Sequence, residues 1–172
     1  MIFPIEKFKS VETPFYFYDQ KVLQATLDTI NSEVKKYEGY KVHYAVKACV
    51  DPVVLDIINS SGIGCDCVSG GEVERCLMSG FAPSKIVFAG VGKADWEINL
   101  ALDANIACFN VESVPELEVI DELARIKGKV ANIALRVNPN VDAHTHKYIT
   151  TGLSENKFGI SMEMLDMVVD KA

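Results

Sequence analysis

One lysine interrupts an apolar run. In Lys41-Val42-His43-Tyr44-Ala45-Val46-Lys47-Ala48, Lys47 stands where another hydrophobe would be expected. Side chains alternate along a strand, which puts His43, Ala45 and Lys47 on one face and leaves Lys47 at the strand's C-terminal end. Desolvation there lowers the pKa of an amine and supplies a neutral nucleophile, the chemistry by which Schiff-base lysines condense with carbonyl groups. A lysine at a strand end can equally snorkel into solvent. Asp66 and Arg136 are the other residues that invite chemistry. An inward carboxylate needs a cation and arginine offers a fixed fork of donors, so the two suit either a reactive site or a plain ion pair in the core. Glu72 follows Ser69 at the spacing of a capping box, which explains it as a helix cap before any other role. Cys65 and Cys67 share one strand face as small hydrophobes, and neither a second Cys pair nor His144 and His146 completes a zinc site, so no metal is expected.

The elements that must hold these residues recur with a regular beat. Thr13 to Tyr18 reads as a strand. Asp19 caps a helix with Leu23, Leu27, Ile30 and Val34 at helical spacing, ended by Gly39. After the lysine strand, Asp51-Pro52 opens a helix closed by Gly62, with the proline at its first position. Further strands are expected at Gly64–Val68, Ile86–Ala89, Ile106–Val111 and Val130–Val137. The helices between them start at Ser69 and Ser113, both with capping-box spacing, and at Asp95. A strand about every twenty residues with a helix between is the signature of right-handed βαβ units and a parallel sheet. No Gly-x-Gly-x-x-Gly turn marks an open doubly wound sheet. Lys47, Asp66 with Ser69-Gly70-Gly71, Gly90 and Gly92, Glu112 and Arg136 to Asn138 all fall at or just past strand C-termini. A (β/α) barrel carries its chemistry there, so the expected class is α/β with a barrel architecture. A complete eightfold barrel takes about 250 residues, so these 172 residues, closing on the helical pattern Met162-Leu165-Val168-Val169, are expected to be part of one.

Composition narrows the function classes. The chain is 49% hydrophobic, enough for one core, and carries 17 basic against 24 acidic residues for a net charge of −7. With no basic run longer than Lys35-Lys36, nucleic acid is an unlikely partner by charge, and small molecules are expected instead. No apolar run reaches the length of a membrane span. Five cysteines without a framework spacing, and no leader pattern, point to a reducing cytoplasmic setting.

Several separate stretches, taken in order, resemble the fold type III, pyridoxal-phosphate-dependent decarboxylases. They are Tyr44-Ala45-Val46-Lys47-Ala48, Asp66-Cys67-Val68-Ser69-Gly70-Gly71-Glu72, Arg136-Val137-Asn138-Pro139, the run from Thr145 to Gly152, and Lys157-Phe158-Gly159-Ile160. The likeness runs from Thr13 to Ile160, and its last part is closer to the diaminopimelate branch than to ornithine or arginine decarboxylases. Cys49 departs from the asparagine usual after Lys-Ala. The resemblance implies a (β/α)8 TIM barrel of the alanine racemase type, incomplete here, with residues 1–18 as a strand segment leading into a barrel portion over 19–172. It implies pyridoxal 5'-phosphate as cofactor, with Lys47 as the catalytic Schiff-base lysine. Asp66 and Arg136 become cofactor-binding residues, and His146 and Ile149 a lid or substrate wall.

The implied reaction is decarboxylation of meso-2,6-diaminopimelate to L-lysine, the last step of lysine biosynthesis. The implied partner is a second copy, in a homodimer with a shared active site. A related decarboxylase of basic amino acids or polyamine precursors is the alternative, as is a non-catalytic piece. A class I aldolase also uses a barrel lysine but carries it on a later strand. The family's downstream histidine, glycine-rich phosphate loop and pyridine-binding glutamate are not among these residues. Nor are the arginine and cysteine of its second domain. The chain by itself is therefore expected to be inactive.

Overall fold

A computed structural model of the chain describes residues 3–139 and 158–172. It divides into two compact units, Met1–Val42 and His43–Ala172. The first unit holds α1 (Ile5–Phe8) and α2 (Gln20–Val34). Asp19 caps α2 as its position predicts, its carboxylate accepting from the Lys21 and Val22 amides at 2.9 and 3.3 Å. The strand expected at 13–18 does not form among the described residues. The segment bends at Thr13 and Pro14 and lacks a ladder partner among the described residues, because aromatic alternation supplies side-chain faces and not the second backbone that a strand needs. Phe15 and Phe17 instead set their rings tilted and edge-on to that of Phe8, with centroids 5.2 and 5.0 Å away.

The second unit is a run of βα repeats. Its main sheet comprises β1 (His43–Ala45), β2 (Gly64–Cys67), β3 (Ile86–Phe88), β4 (Cys108–Val111) and β5 (Ile133–Leu135). Between them lie α3 (Pro52–Ser60), α4 (Gly70–Met78), α5 (Asp95–Ala104) and α6 (Val114–Ile126). All neighbouring strands are parallel and lie in chain order from β1 to β5. That order separates the two architectures that the sequence leaves in competition. A doubly wound sheet reverses its strand order at a switch point, whereas right-handed crossovers that always step the same way build a barrel wall. A second, two-stranded ladder pairs β6 (Val137–Asn138) with β7 (Ile160–Ser161), and α7 (Leu165–Lys171) follows. The fifth strand is therefore shorter than the run Val130–Val137: Val130 is 90% exposed, and Arg136 separates β5 from β6.

Laterally paired residues of a parallel sheet share a face, so the register shows which face is the core. Cys65 pairs with Ile86, Cys67 with Phe88, and Phe88 with Phe109, and all are buried. The helices contribute Leu55, Ile58, Val73, Ile98 and Ile120 to the buried set. Phe88 and Phe109, with ring centroids 6.2 Å apart, each contribute roughly 1.5–3 kcal/mol of burial. Ala45, Asp66, Val87 and Cys108 line up on the other face, and Asp66 and Cys108 are only half-buried.

The cysteines follow this division. Cys65, Cys67 and Cys76 are fully buried, with the sulfurs of Cys67 and Cys76 3.8 Å apart. Contact with Cys76, then burial, pushes the Cys65 and Cys67 thiols well above the ordinary range. Cys49 and Cys108 are partly accessible. A thiol reagent is thus expected to label at most Cys49 and Cys108 in the native protein, and Cys65, Cys67 and Cys76 only once it is unfolded. Fast native labelling of Cys65, Cys67 or Cys76 would contradict this packing. Among the described residues no helix is long and apolar enough to cross a membrane.

Candidate active site

The strand that carries Lys47 ends earlier than its sequence suggests. After Ala45 the chain turns into a short 3-10 turn, Val46–Ala48, anchored by the fully buried Val46. Lys47 is therefore exposed rather than desolvated on a strand face, since one turn of tighter helix breaks the alternation that would have turned it inward. No described residue makes a hydrogen bond or ion pair with its amine. The amine borders an open cavity of about 810 Å³ at the C-terminal ends of the strands, shared with Asp66, Gly90, Asn110, Glu112 and Arg136.

Each wall of this cavity has a physical reason. Asp66 sits on β2 with its Oδ1 buried and, among the described residues, without a hydrogen-bond partner. Such an acceptor costs about 1–3 kcal/mol until a donor reaches it. Gly90 continues past β3 at φ +103°, with the Val68 carbonyl 3.0 Å from where a Cβ would stand, so glycine alone fits there without strain. The Gly90 amide then donates to Glu112 Oε1 at 2.8 Å. Glu112, buried just past β4, accepts from Arg136 Nη1 at 2.7 Å through its other oxygen.

Arg136 thus pairs with Glu112 and not with Asp66. The correction follows from strand order: β4 is next to β5, whereas β2 lies three strand spacings of about 4.8 Å away. The Arg136 side chain remains 46% exposed, its guanidinium 5.9 Å from the centre of the Phe158 ring. Gly159, at φ +112°, lets Ile160 donate to the Arg136 carbonyl at 2.8 Å, so the Phe158-Gly159-Ile160 run closes against this corner.

The two capping motifs are met in one direction only. Ser69 Oγ accepts from the Glu72 amide, and Ser113 Oγ from the Glu116 amide. The returning carboxylates reach one residue further back than a capping box requires, to the amides of Val68 and Glu112. Glu97, absent from the sequence reading, is buried and joins two helix starts, accepting from the Gly70 amide at 2.6 Å and from Ala94 at 2.8 Å. The Val68, Gly70 and Glu72 amides at the start of α4 are therefore already engaged by side chains of the protein itself. Lys93 also escaped the sequence reading, because a lone loop lysine carries no periodic signal, and Glu116 figures there only as the partner of the Ser113 cap. His146 and Ile149 lie outside the described residues.

A family model for the pyridoxal binding domain of pyridoxal-dependent decarboxylases matches residues 23–172. The chain belongs to this family. Among curated relatives, it is 64% identical over 171 residues to a diaminopimelate decarboxylase of Bacteroides thetaiotaomicron, covering 99% of this chain and 44% of the relative. Among solved structures it resembles the Helicobacter pylori diaminopimelate decarboxylase complexed with L-lysine. The TM-score there is 0.83 at 43% identity, over 96% of this chain and 42% of the other. The M. jannaschii diaminopimelate decarboxylase in co-complex with L-lysine matches with a TM-score of 0.86 at 36% identity, over 97% and 40%. The chain spans about 44% or less of the length of these relatives. With the strand order, this family membership makes the second unit part of a TIM barrel, and the family's cofactor is pyridoxal phosphate.

The residues present fit that cofactor. An aldehyde asks for a primary amine free of other partners, which Lys47 offers among the described residues, and the buried Asp66 oxygen is an acceptor to which none of them donates. The cavity is of the size that holds small ligands, about 300–1,000 Å³.

Proposed function

We propose that the protein carrying this chain decarboxylates meso-2,6-diaminopimelate to L-lysine, with pyridoxal 5'-phosphate attached to Lys47. The observation that carries this reading is the Lys47 amine, unpartnered among the described residues, beside a cavity also lined by Asp66, whose buried carboxylate oxygen has no donor among them. The relatives named diaminopimelate decarboxylase, two of them solved with L-lysine, support the choice of substrate. When bound, pyridoxal phosphate supplies the electron sink for the pair left by departing carbon dioxide.

The chain's own residues bind and orient. Lys47 Nζ is the nucleophile that holds the cofactor in place, and a basic amine at that position can carry a proton to the reacting carbon. Asp66 Oδ1 accepts from a donor brought into the cavity. Arg136, steadied on one side by Glu112, keeps further N–H groups for a carboxylate or phosphate. His146 and Ile149 serve as lid or substrate wall, and the protein works as a cytoplasmic homodimer with a shared site.

The test is carbon dioxide release by the intact gene product supplied with pyridoxal phosphate. Meso-diaminopimelate is expected to outpace L-ornithine and L-arginine by at least ~100-fold in kcat/KM. A preference for ornithine or arginine would replace the substrate assignment, and no release from any of the three would end the proposal.

A further inference from the structure

Lys93 lies in the loop between β3 and α5, outside the cavity lining. Its side chain is only 1% exposed, yet its ammonium has three acceptors. It donates to the Gly90 carbonyl at 2.8 Å, the Asn110 carbonyl at 3.0 Å and Glu116 Oε1 at 2.5 Å, and it lies 5.2 Å from the centre of the Phe88 ring. Gly90 and Asn110 border the cavity directly. Glu116 passes the contact on, since its Oε2 accepts from the Glu112 amide at 2.8 Å. Glu112 in turn holds both the Gly90 amide and Arg136. One buried cation thus ties together the frames of two neighbouring strand ends at the place where they face the cavity.

We infer that Lys93 is a positioning residue for the reaction proposed above, fixing the Gly90 edge directly and the Arg136 guanidinium through Glu116 and Glu112. The inference rests on that functional reading. A buried ion pair gains little over two apolar side chains of the same size, so stability alone does not account for a charge at this position. What apolar side chains cannot supply is three directed bonds to the cavity's frame, and small displacements of a binding group are costly to catalysis.

The experiment uses the intact gene product and measures pyridoxal phosphate affinity alongside kcat/KM. Lys93→Met is expected to weaken cofactor affinity about fivefold and to lower kcat/KM about tenfold. The double variant Lys93→Met/Glu116→Met removes both buried charges. It is expected to recover most of the unfolding midpoint lost in Lys93→Met without recovering affinity, and it provides the measurement should Lys93→Met alone not fold. Leu102→Ala, a destabilising change in the helical layer, is expected to leave affinity unaltered. Recovery of wild-type affinity by the double variant, or an equal loss of affinity in Leu102→Ala, would make Lys93 a purely structural residue and overturn the inference. A wild-type protein that binds the cofactor but releases no carbon dioxide from diaminopimelate would end the functional reading alone, because the affinity comparison still decides the part played by Lys93.

Discussion

Replacing Lys47 with alanine is expected to lower decarboxylation by the intact protein at least ~10³-fold, the scale of losing a covalent nucleophile. Arginine at the same position should do no better, since a guanidinium stays protonated and cannot attack an aldehyde. Covalent labelling can show the role independently of turnover. Borohydride reduction of the pyridoxal-phosphate-loaded protein, followed by peptide mapping, should place the label on Lys47. The selectivity has a structural basis, because four other lysine amines carried by the βα repeats are already engaged. Lys85 donates to the Gly62 carbonyl, Lys93 has three acceptors, and Lys127 and Lys129 are held at Asp103 and Leu102. A label on any other lysine would remove Lys47 from the mechanism.

The second large effect concerns stability. Glu116→Ala is expected to destabilise the protein by about 3–5 kcal/mol, because it strands the Lys93 ammonium in a site with almost no access to water. It also leaves the Glu112 amide without its acceptor. Urea unfolding should show a lower midpoint with little change in slope. Adding Lys93→Met should restore most of the loss. A Glu116→Ala protein as stable as the parent would mean that water or another group reaches Lys93, contrary to the packing described.

Local signals in the sequence proved legible where the physics is local. Asp19, Asp51, Ser69 and Ser113 each cap the helix they precede, because a cap needs only a short polar side chain two or three residues from an unpaired amide. The alternation of Cys65 and Cys67 about Asp66 correctly assigned the buried and open faces of β2. Strand order was legible through the polar residues gathered at strand ends.

What escaped was anything decided by a turn of the backbone or by a choice among partners. The residues Ala45-Val46-Lys47-Ala48 read as the end of a strand, whereas a 3-10 turn forms there and exposes the lysine. Arg136 had more than one carboxylate within conceivable reach, and only adjacency in the sheet selects Glu112. Lys93 and Glu97 also reach backbone groups of other elements, at Asn110 and Gly70, for which one-dimensional spacing holds no trace.

The parallel ladder in chain order also bears on how the polypeptide acquires its shape during synthesis. Register partners are twenty-one residues apart for His43 with Gly64, Cys65 with Ile86 and Val87 with Cys108, and twenty-four for Phe109 with Ile133. No strand of this sheet waits for a distant one, so loop-closure entropy is small and nearly the same at each addition. A ribosome delivering about 5–20 residues per second takes on the order of 1–4 s per repeat, against microseconds for helix formation. Each new strand thus meets an edge already made, and the cavity wall accrues in the order Lys47, Asp66, Gly90, Glu112, Arg136 at the pace of translation.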